Sequence, residues 1–101
     1  MSTKQHAANL CDLIRRNFDF PYQEDWYAIC DEAEAICSAS PSTQAVRNVT
    51  NLIDTYVDIP SDQETWYEIE DELFTLIIDA ASRERYLDFL IENYPDFFEA
   101  V

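Results

Sequence analysis

Apolar residues recur every three or four positions along most of the chain, which is the spacing of one face of an α-helix. Leu10 and Ile14 belong to the first apolar stripe, and Trp26 and Ile29 to the second. The segments with this spacing run from about Thr3 to Arg16, Tyr22 to Ser38, Pro41 to Tyr56, Ser61 to Ile78 and Ser82 to Ile91. We therefore predict an all-α fold, a small bundle of about five helices, followed by a short turn that Pro95 opens.

Helix starts are suggested by proline and by hydroxyl side chains. Glycine is absent, which disfavours β-hairpins, because their tight turns prefer that residue. We expect Ser40, Ser61 and Ser82 to cap helices, and Ser61 with Glu64 has the spacing of a capping box. Proline is tolerated at the first helical position, and this assigns a helix start to each proline: Pro21, Pro41, Pro60 and Pro95.

Two stretches of the chain, 9–38 and 51–78, resemble each other. Asp19-Phe20-Pro21 recurs as Asp58-Ile59-Pro60, and Trp26-Tyr27 recurs as Trp66-Tyr67. An imperfect duplication predicts two similar helix-proline-helix hairpins, sealed by a C-terminal helix within one domain spanning residues 1–101. The alternative is coincidence among amphipathic helices.

The charge balance narrows the choice of partner. There are 21 acidic and 6 basic residues, giving a formal net charge of -15. Nucleic acids and anionic membranes are disfavoured as direct partners, because binding them requires clustered Lys and Arg. A basic protein surface is the natural partner, although high charge also serves solubility alone.

The residues needed for common catalytic sites are missing. His6 is the single histidine, so a catalytic triad would depend on a residue near the chain terminus. Cys30 and Cys37 lie seven positions apart on one apolar stripe, and no second pair completes a zinc site. We expect a non-enzymatic protein with no catalytic residues, no metal and no cofactor.

Cysteine usage and hydropathy bear on location. The three cysteines cannot all pair within one chain, and neither an N-terminal apolar run nor a long uncharged apolar stretch is present. These features predict a reduced, cytoplasmic protein.

Acidic residues are concentrated on two of the predicted helices without interleaved lysine or arginine. An ordinary solvated helix face usually alternates sign, so an uncompensated row fits a groove lined by Arg and Lys. The candidate partner-binding residues are Glu24, Asp25, Asp31 and Glu32 on the second helix and Glu64, Glu68, Asp71 and Glu72 on the fourth.

The acidic rows Asp31-Glu32-Ala33-Glu34 and Glu68-Ile69-Glu70-Asp71-Glu72 stand in a glycine-free, aromatic-rich helical sequence. In size and charge pattern the chain resembles the DNA-mimicking inhibitors of phages and plasmids, including anti-restriction and anti-CRISPR proteins. That resemblance implies an inhibitor acting in the bacterial host cell on a basic nucleic-acid-binding protein or complex. Two alternatives stay open: an immunity or antitoxin protein against a basic toxin nuclease, and an acidic protein-protein adaptor.

A second apolar stripe on the fourth helix is formed by Tyr67, Phe74 and Ile78. One interpretation is burial against the neighbouring hairpin, since small cores use broad stripes. The other is a homodimer seam, which would lengthen the acidic surface.

Overall fold

The fold is all-α, as the apolar periodicity predicts. The computed structural model describes residues 2–98, and its helices lie within that range. No helix in this part of the chain is both long and apolar enough to cross a membrane. The helices are α1 (Thr3–Arg16), α2 (Gln23–Ser38), α3 (Gln44–Thr55), α4 (Gln63–Glu84), α5 (Leu87–Asn93) and the single turn α6 (Pro95–Phe98).

Helix α3 begins later than the sequence suggests. Its cap is Thr43, whose hydroxyl accepts a hydrogen bond from the Val46 N–H at 3.2 Å. The predicted cap, Ser40, instead donates its hydroxyl to the Ile36 carbonyl at 2.6 Å and so closes the end of α2. The prediction at Ser40 is therefore wrong, because that hydroxyl serves the preceding helix.

Helix α4 is capped by Asp62, and the prediction of Ser61 is wrong by one residue. The Asp62 carboxylate accepts the Thr65 N–H at 2.7 Å, and this bond also lowers the pKa of that carboxyl. Only Pro95 is the first residue of a helix; the other prolines precede α2, α3 and α4 by two or three residues. They end the preceding turns, since proline fixes an extended approach to each cap.

Helix α4 also runs through Ser82, so the prediction that Ser82 caps a fifth helix is wrong. Ala80 and Ala81 are fully buried there, so packing continues the helix across the serine. The C-cap of the helix is Arg85, which takes a left-handed conformation with φ of 64°. Glycine usually occupies such a position, and a chain without glycine must place a residue with a Cβ in it.

The four long helices pack around one core. Helix α1 packs on α2, α2 on α3, α3 on α4, and α4 returns to α1. The Trp26 and Trp66 rings meet edge to face in the middle, with centroids 6.2 Å apart. Helices α2 and α4 therefore face each other across the core, and α3 lies between them on one side.

The C-terminal helices cover one side of this bundle. The Tyr94 hydroxyl donates to the Ala8 carbonyl at 3.1 Å or to the Asp12 carboxylate at 2.9 Å, which ties the turn between α5 and α6 to α1. Phe97 stacks on Phe18, with centroids 6.1 Å apart. These contacts seal the apolar edge that α1 and α4 leave open.

Candidate interaction surface

Most of the basic residues are engaged in contacts within the protein. Arg16 pairs with Asp25 at 3.2 Å, and Arg83 pairs with Asp79 at 2.8 Å. Lys4 lies over the Phe89 ring, 4.2 Å from its centroid. On α3, Arg47 donates to the Ser42 carbonyl and to the Gln44 side chain, not to a carboxylate. The positive charges therefore leave the first half of α4 uncompensated.

Four carboxylates on that half of α4 form what we call the acidic row: Glu64, Glu68, Asp71 and Glu72. Among residues 2–98, no ion pair involves any of them. Glu72 is half-buried and the other three are exposed. Successive glutamates four residues apart are separated by about 6 Å along the helix axis, against a rise of about 3.4 Å per phosphate on one DNA strand. The row thus displays roughly one negative charge for every second phosphate of a strand.

The candidate residues on α2 divide into two groups. Glu24 and Asp31 are exposed and make no ion pair within residues 2–98. Asp25 accepts hydrogen bonds from Asn17 at 2.8 Å and Arg16 at 3.2 Å, and these two contacts lower the pKa of its carboxyl.

Glu32 is also engaged within the protein. One carboxylate oxygen lies 2.6 Å from the His6 Nδ1, and the other accepts from the Asn9 amide at 3.4 Å. Asp25 and Glu32 therefore join α1 to α2, and they contribute little to a surface open to a partner. The sequence placed both acids on the predicted second helix, but it did not show that α1 packs beside them.

Helix α3 forms one wall of each of two grooves, and acidic residues border both grooves. The larger groove, about 500 Å³, lies between α3 and α4; we call it the acidic groove. Its lining residues are Asn48, Asn51, Leu52, Thr55, Tyr56, Glu68 and Glu72. A second groove of about 280 Å³ lies between α2 and α3 and brings in Glu34 and Asp54. Carboxylates thus border both grooves beside α3, whose exposed face carries Asn, Gln and Thr side chains together with Arg47 and Asp54.

Sequence reasoning missed Glu34, Asp54 and the α3 amides as members of this surface. A signal was present, because the exposed positions of α3 carry mostly Gln, Asn and Thr where charged side chains are usual on a solvated helix. Which helices flank α3 could not be read from that pattern.

The three residues of the possible dimer seam, Tyr67, Phe74 and Ile78, do not form one exposed surface. Phe74 is half-buried and contacts the rings of Phe97 and Phe98, with centroids 5.0 and 6.0 Å away. Ile78 is half-buried and packs against the core. Tyr67 alone is exposed, at 41%. This arrangement favours the alternative of burial for Phe74 and Ile78.

Exposed apolar side chains gather at the end of the bundle that holds the α1–α2 and α3–α4 connections. We call this surface the aromatic end; its members are Phe18, Phe20, Tyr22, Tyr27, Val57 and Tyr67. Hydrogen bonds tie each connection to a helix of the other hairpin: the Trp66 indole on α4 donates to the Phe18 carbonyl in the α1–α2 connection at 3.2 Å, and the Tyr27 hydroxyl on α2 donates to Asp58 in the α3–α4 connection at 3.0 Å. The two connections therefore lie at the same end of the bundle.

Glu70 departs from the acidic pattern of its helix. Its exposed fraction is 4%, and its Oε2 atom has no hydrogen-bond partner among the described residues. Burial, followed by the nearby charges of Asp71 and Asp19, raises the pKa of this carboxyl to about 8. The helical phase explains its burial, since Glu70 lies four residues from both Trp66 and Phe74 on the inward stripe.

The thiols are poorly suited to nucleophilic chemistry. All three cysteines are free. Burial raises the pKa of Cys11 to about 12 and that of Cys30 to about 11, with smaller contributions from neighbouring carboxylates. Within residues 2–98, no group of three or more His, Cys, Asp or Glu side chains is arranged to hold a metal ion.

Comparison of the chain with protein-family models, curated proteins and solved structures finds no match.

Proposed function

We propose that this protein is a non-enzymatic inhibitor that mimics nucleic acid and occupies the nucleic-acid-binding site of a basic protein. CRISPR effectors and restriction enzymes are examples of such targets. The observation that carries the proposal is the acidic row, whose four carboxylates stand on one helix and make no ion pair among residues 2–98. A helix holds its charges at fixed spacing, so a cleft lined by Arg and Lys meets them already ordered.

The energetics of the row support a binding role. Like charges at i,i+4 spacing destabilise a helix by about 0.2–0.5 kcal/mol per pair, and Glu64, Glu68 and Glu72 form two such pairs. Folding gains nothing from that repulsion. A partner's cations would relieve it, so the same charges that weaken the free protein strengthen the complex.

The acidic groove lies beside the acidic row and offers space for a side chain of the partner. Glu68 and Glu72 border it, and Asn48 and Asn51 supply amide oxygens and N–H groups from α3. A long basic side chain entering this groove meets carboxylates on one wall and amide oxygens on the other. Such polar partners are needed because a cation that leaves water loses its hydration.

The direct test is competition with nucleic acid. A protein captured from a bacterial lysate on the immobilised chain is purified, and its binding to a labelled DNA or RNA duplex is measured with and without this protein. We expect competitive displacement that weakens steeply as salt rises, because both ligands use the same cationic site. Tight binding that leaves the duplex bound, or affinity indifferent to salt, contradicts mimicry.

A matched pair of variants locates the site. Glu68→Gln with Glu72→Gln removes two charges four residues apart on α4, and Asp88→Asn with Glu92→Gln removes two exposed charges at the same spacing on α5. Only the α4 variant is expected to lose competition, by about tenfold or more. Equal losses in both variants would show that net charge, not the row, drives binding.

An immunity protein against a basic nuclease is the second candidate, and the aromatic end favours it. Interfaces with one cognate partner concentrate affinity in a few buried aromatic anchors. Substituting those anchors would then abolish binding, whereas charge neutralisation on α4 would have a small effect. The relative losses in the two sets of variants distinguish the two candidates.

A further inference from the structure

We propose that the aromatic end is a docking surface for arginine side chains of a basic protein partner. Guanidinium groups stack on its exposed rings and pair with the carboxylates around them. This inference rests on the proposed function only in taking the partner to be a basic protein.

The aromatic end exposes more apolar surface than solubility favours. Tyr22 and Val57 are each 73% exposed, and Phe18 is 52% exposed. Single exposed apolar residues need no explanation, but all six of the exposed large hydrophobic side chains among residues 2–98 belong to this end. Aromatic residues are enriched at protein interfaces, where a rigid ring supplies a large contact area.

The surface is ordered before any partner arrives. The Trp66 indole N–H holds the α1–α2 connection through the carbonyls of Asn17 and Phe18, at 3.1 and 3.2 Å. Gln63 donates to the Asp19 carbonyl at 3.2 Å. Binding to a connection already fixed in this way costs less entropy than binding to a mobile loop.

Exposed carboxylates lie near the rings and favour a positively charged partner. The exposed acids at the two connections and adjoining helix starts are Asp19, Glu24, Asp58, Asp62 and Glu64. Tyr67 lies three residues after Glu64 and four before Asp71, so the aromatic end continues into the acidic row on one face of α4.

The bases next to this end, Arg15 and Arg16, are held by internal contacts. The Arg15 guanidinium lies over the Tyr94 and Phe97 rings, with Cζ 4.9 and 5.6 Å from their centroids. Arg16 pairs with Asp25 at 3.2 Å.

Arginine fits this surface better than lysine. A planar guanidinium stacks on a ring face while its edge pairs with a carboxylate, and an ammonium group cannot do both in the same way. Arg15 shows the combination within this protein, since it covers the Tyr94 and Phe97 rings and also reaches Asp96 at 4.0 Å. A second copy of the chain is a poor occupant, because two molecules of charge -15 repel each other.

The test uses two peptide probes of equal charge, deca-arginine and deca-lysine, titrated into the full chain and followed by amide chemical shifts. We expect the arginine peptide to bind about threefold to tenfold more tightly. The largest shifts should include Tyr22, Val57 and Tyr67. Equal affinity for the two peptides, or shifts confined to the acidic groove, would overturn the proposal.

Matched variants distinguish the effect of losing the rings from an effect on folding. Tyr22→Ser with Tyr67→Ser removes two exposed ring faces whose side chains make no hydrogen bond within the described residues, and Tyr22→Phe with Tyr67→Phe keeps both faces. The arginine preference should fall to about one in the serine variant and persist in the phenylalanine variant. An unchanged preference in the serine variant would overturn the assignment, as would a concentration-dependent dimer of the wild type that this variant abolishes.

The experiment also separates this inference from the proposed function. Glu68→Gln with Glu72→Gln should weaken both peptides equally and leave their ratio unchanged, because it removes charge and no ring. An arginine preference in a protein that never displaces nucleic acid would leave the docking surface standing without mimicry. Displacement of nucleic acid with no arginine preference would leave mimicry standing without this surface.

Discussion

Trp26 and Trp66, which occupy matching places in the two similar sequence stretches, meet edge to face at the centre of the bundle, with their ring planes at 80°. Their indole N–H groups differ in hydrogen bonding. That of Trp66 donates to the carbonyls of Asn17 and Phe18, whereas that of Trp26 is buried and has no partner among the described residues. Two rings with similar packing thus differ in what they hold in place.

Substituting each tryptophan with phenylalanine should reveal this difference. Both variants lose packing, but Trp66→Phe also leaves two carbonyls of the α1–α2 connection without their donor. We expect Trp66→Phe to lower the free energy of unfolding by about 1–2 kcal/mol more than Trp26→Phe. Urea denaturation of both variants measures it, and equal losses would mean that the indole bond adds no stability.

Glu70 should make the protein less stable as pH rises. Its carboxyl has a pKa of about 8 in the folded protein against an ordinary value of 4.5, so between these values the folded chain keeps a proton that the unfolded chain releases. The stability that the protonated Glu70 carboxyl contributes is therefore fully present below pH 4.5 and is lost progressively as pH approaches 8. Glu70→Gln removes that loss and should gain about 1–3 kcal/mol over the wild type at alkaline pH.

The matched control is Glu68→Gln, the same substitution at an exposed position on the same helix. It should follow the wild-type pH profile between about pH 5 and pH 8. Denaturant midpoints measured at several pH values give the comparison. If Glu70→Gln and the control have parallel profiles, burial of Glu70 does not govern the pH dependence.

Neutralising part of the acidic row should stabilise the free protein. Glu68→Gln with Glu72→Gln removes like-charge repulsion on α4, and we expect a rise in the free energy of unfolding of about 0.5 kcal/mol at low salt. The gain should shrink in high salt, where screening already weakens the repulsion. Asp88→Asn with Glu92→Gln should gain less, because Asp88 lies in the first turn of α5, where the helix dipole favours a negative charge. Thermal denaturation at two salt concentrations decides the matter, and a loss of stability in the α4 variant would contradict the unpaired state of the row.

The cysteines should react slowly with a thiol reagent while the protein is folded. Cys11 is completely buried, and its pKa of about 12 leaves almost no thiolate at pH 8. We expect Cys30 and Cys37, which are partly exposed, to react first and Cys11 only on unfolding. A colorimetric disulfide reagent with and without guanidinium measures this order, and immediate reaction of all three thiols would contradict the packing around α1.

The sequence by itself determined the helices. Apolar residues three and four positions apart leave a chain of this length few other ways to bury them, and the predicted first helix, Thr3 to Arg16, has the bounds of α1. The first residue of each helix was harder to predict from the sequence. Whether Ser40 or Thr43 caps α3 depends on which hydroxyl is already bonded to α2, and that is a contact between elements.

Tertiary structure alone decided which acids remain open to a partner. Asp25 and Glu32 look like the other α2 acids in sequence, but packing of α1 places Arg16 and His6 beside them. Glu70 looks like its neighbours in the α4 run, and the bundle buries it. A helical pattern fixes the direction of each side chain around its own axis, whereas the burial and pairing of that side chain depend on which helix packs there.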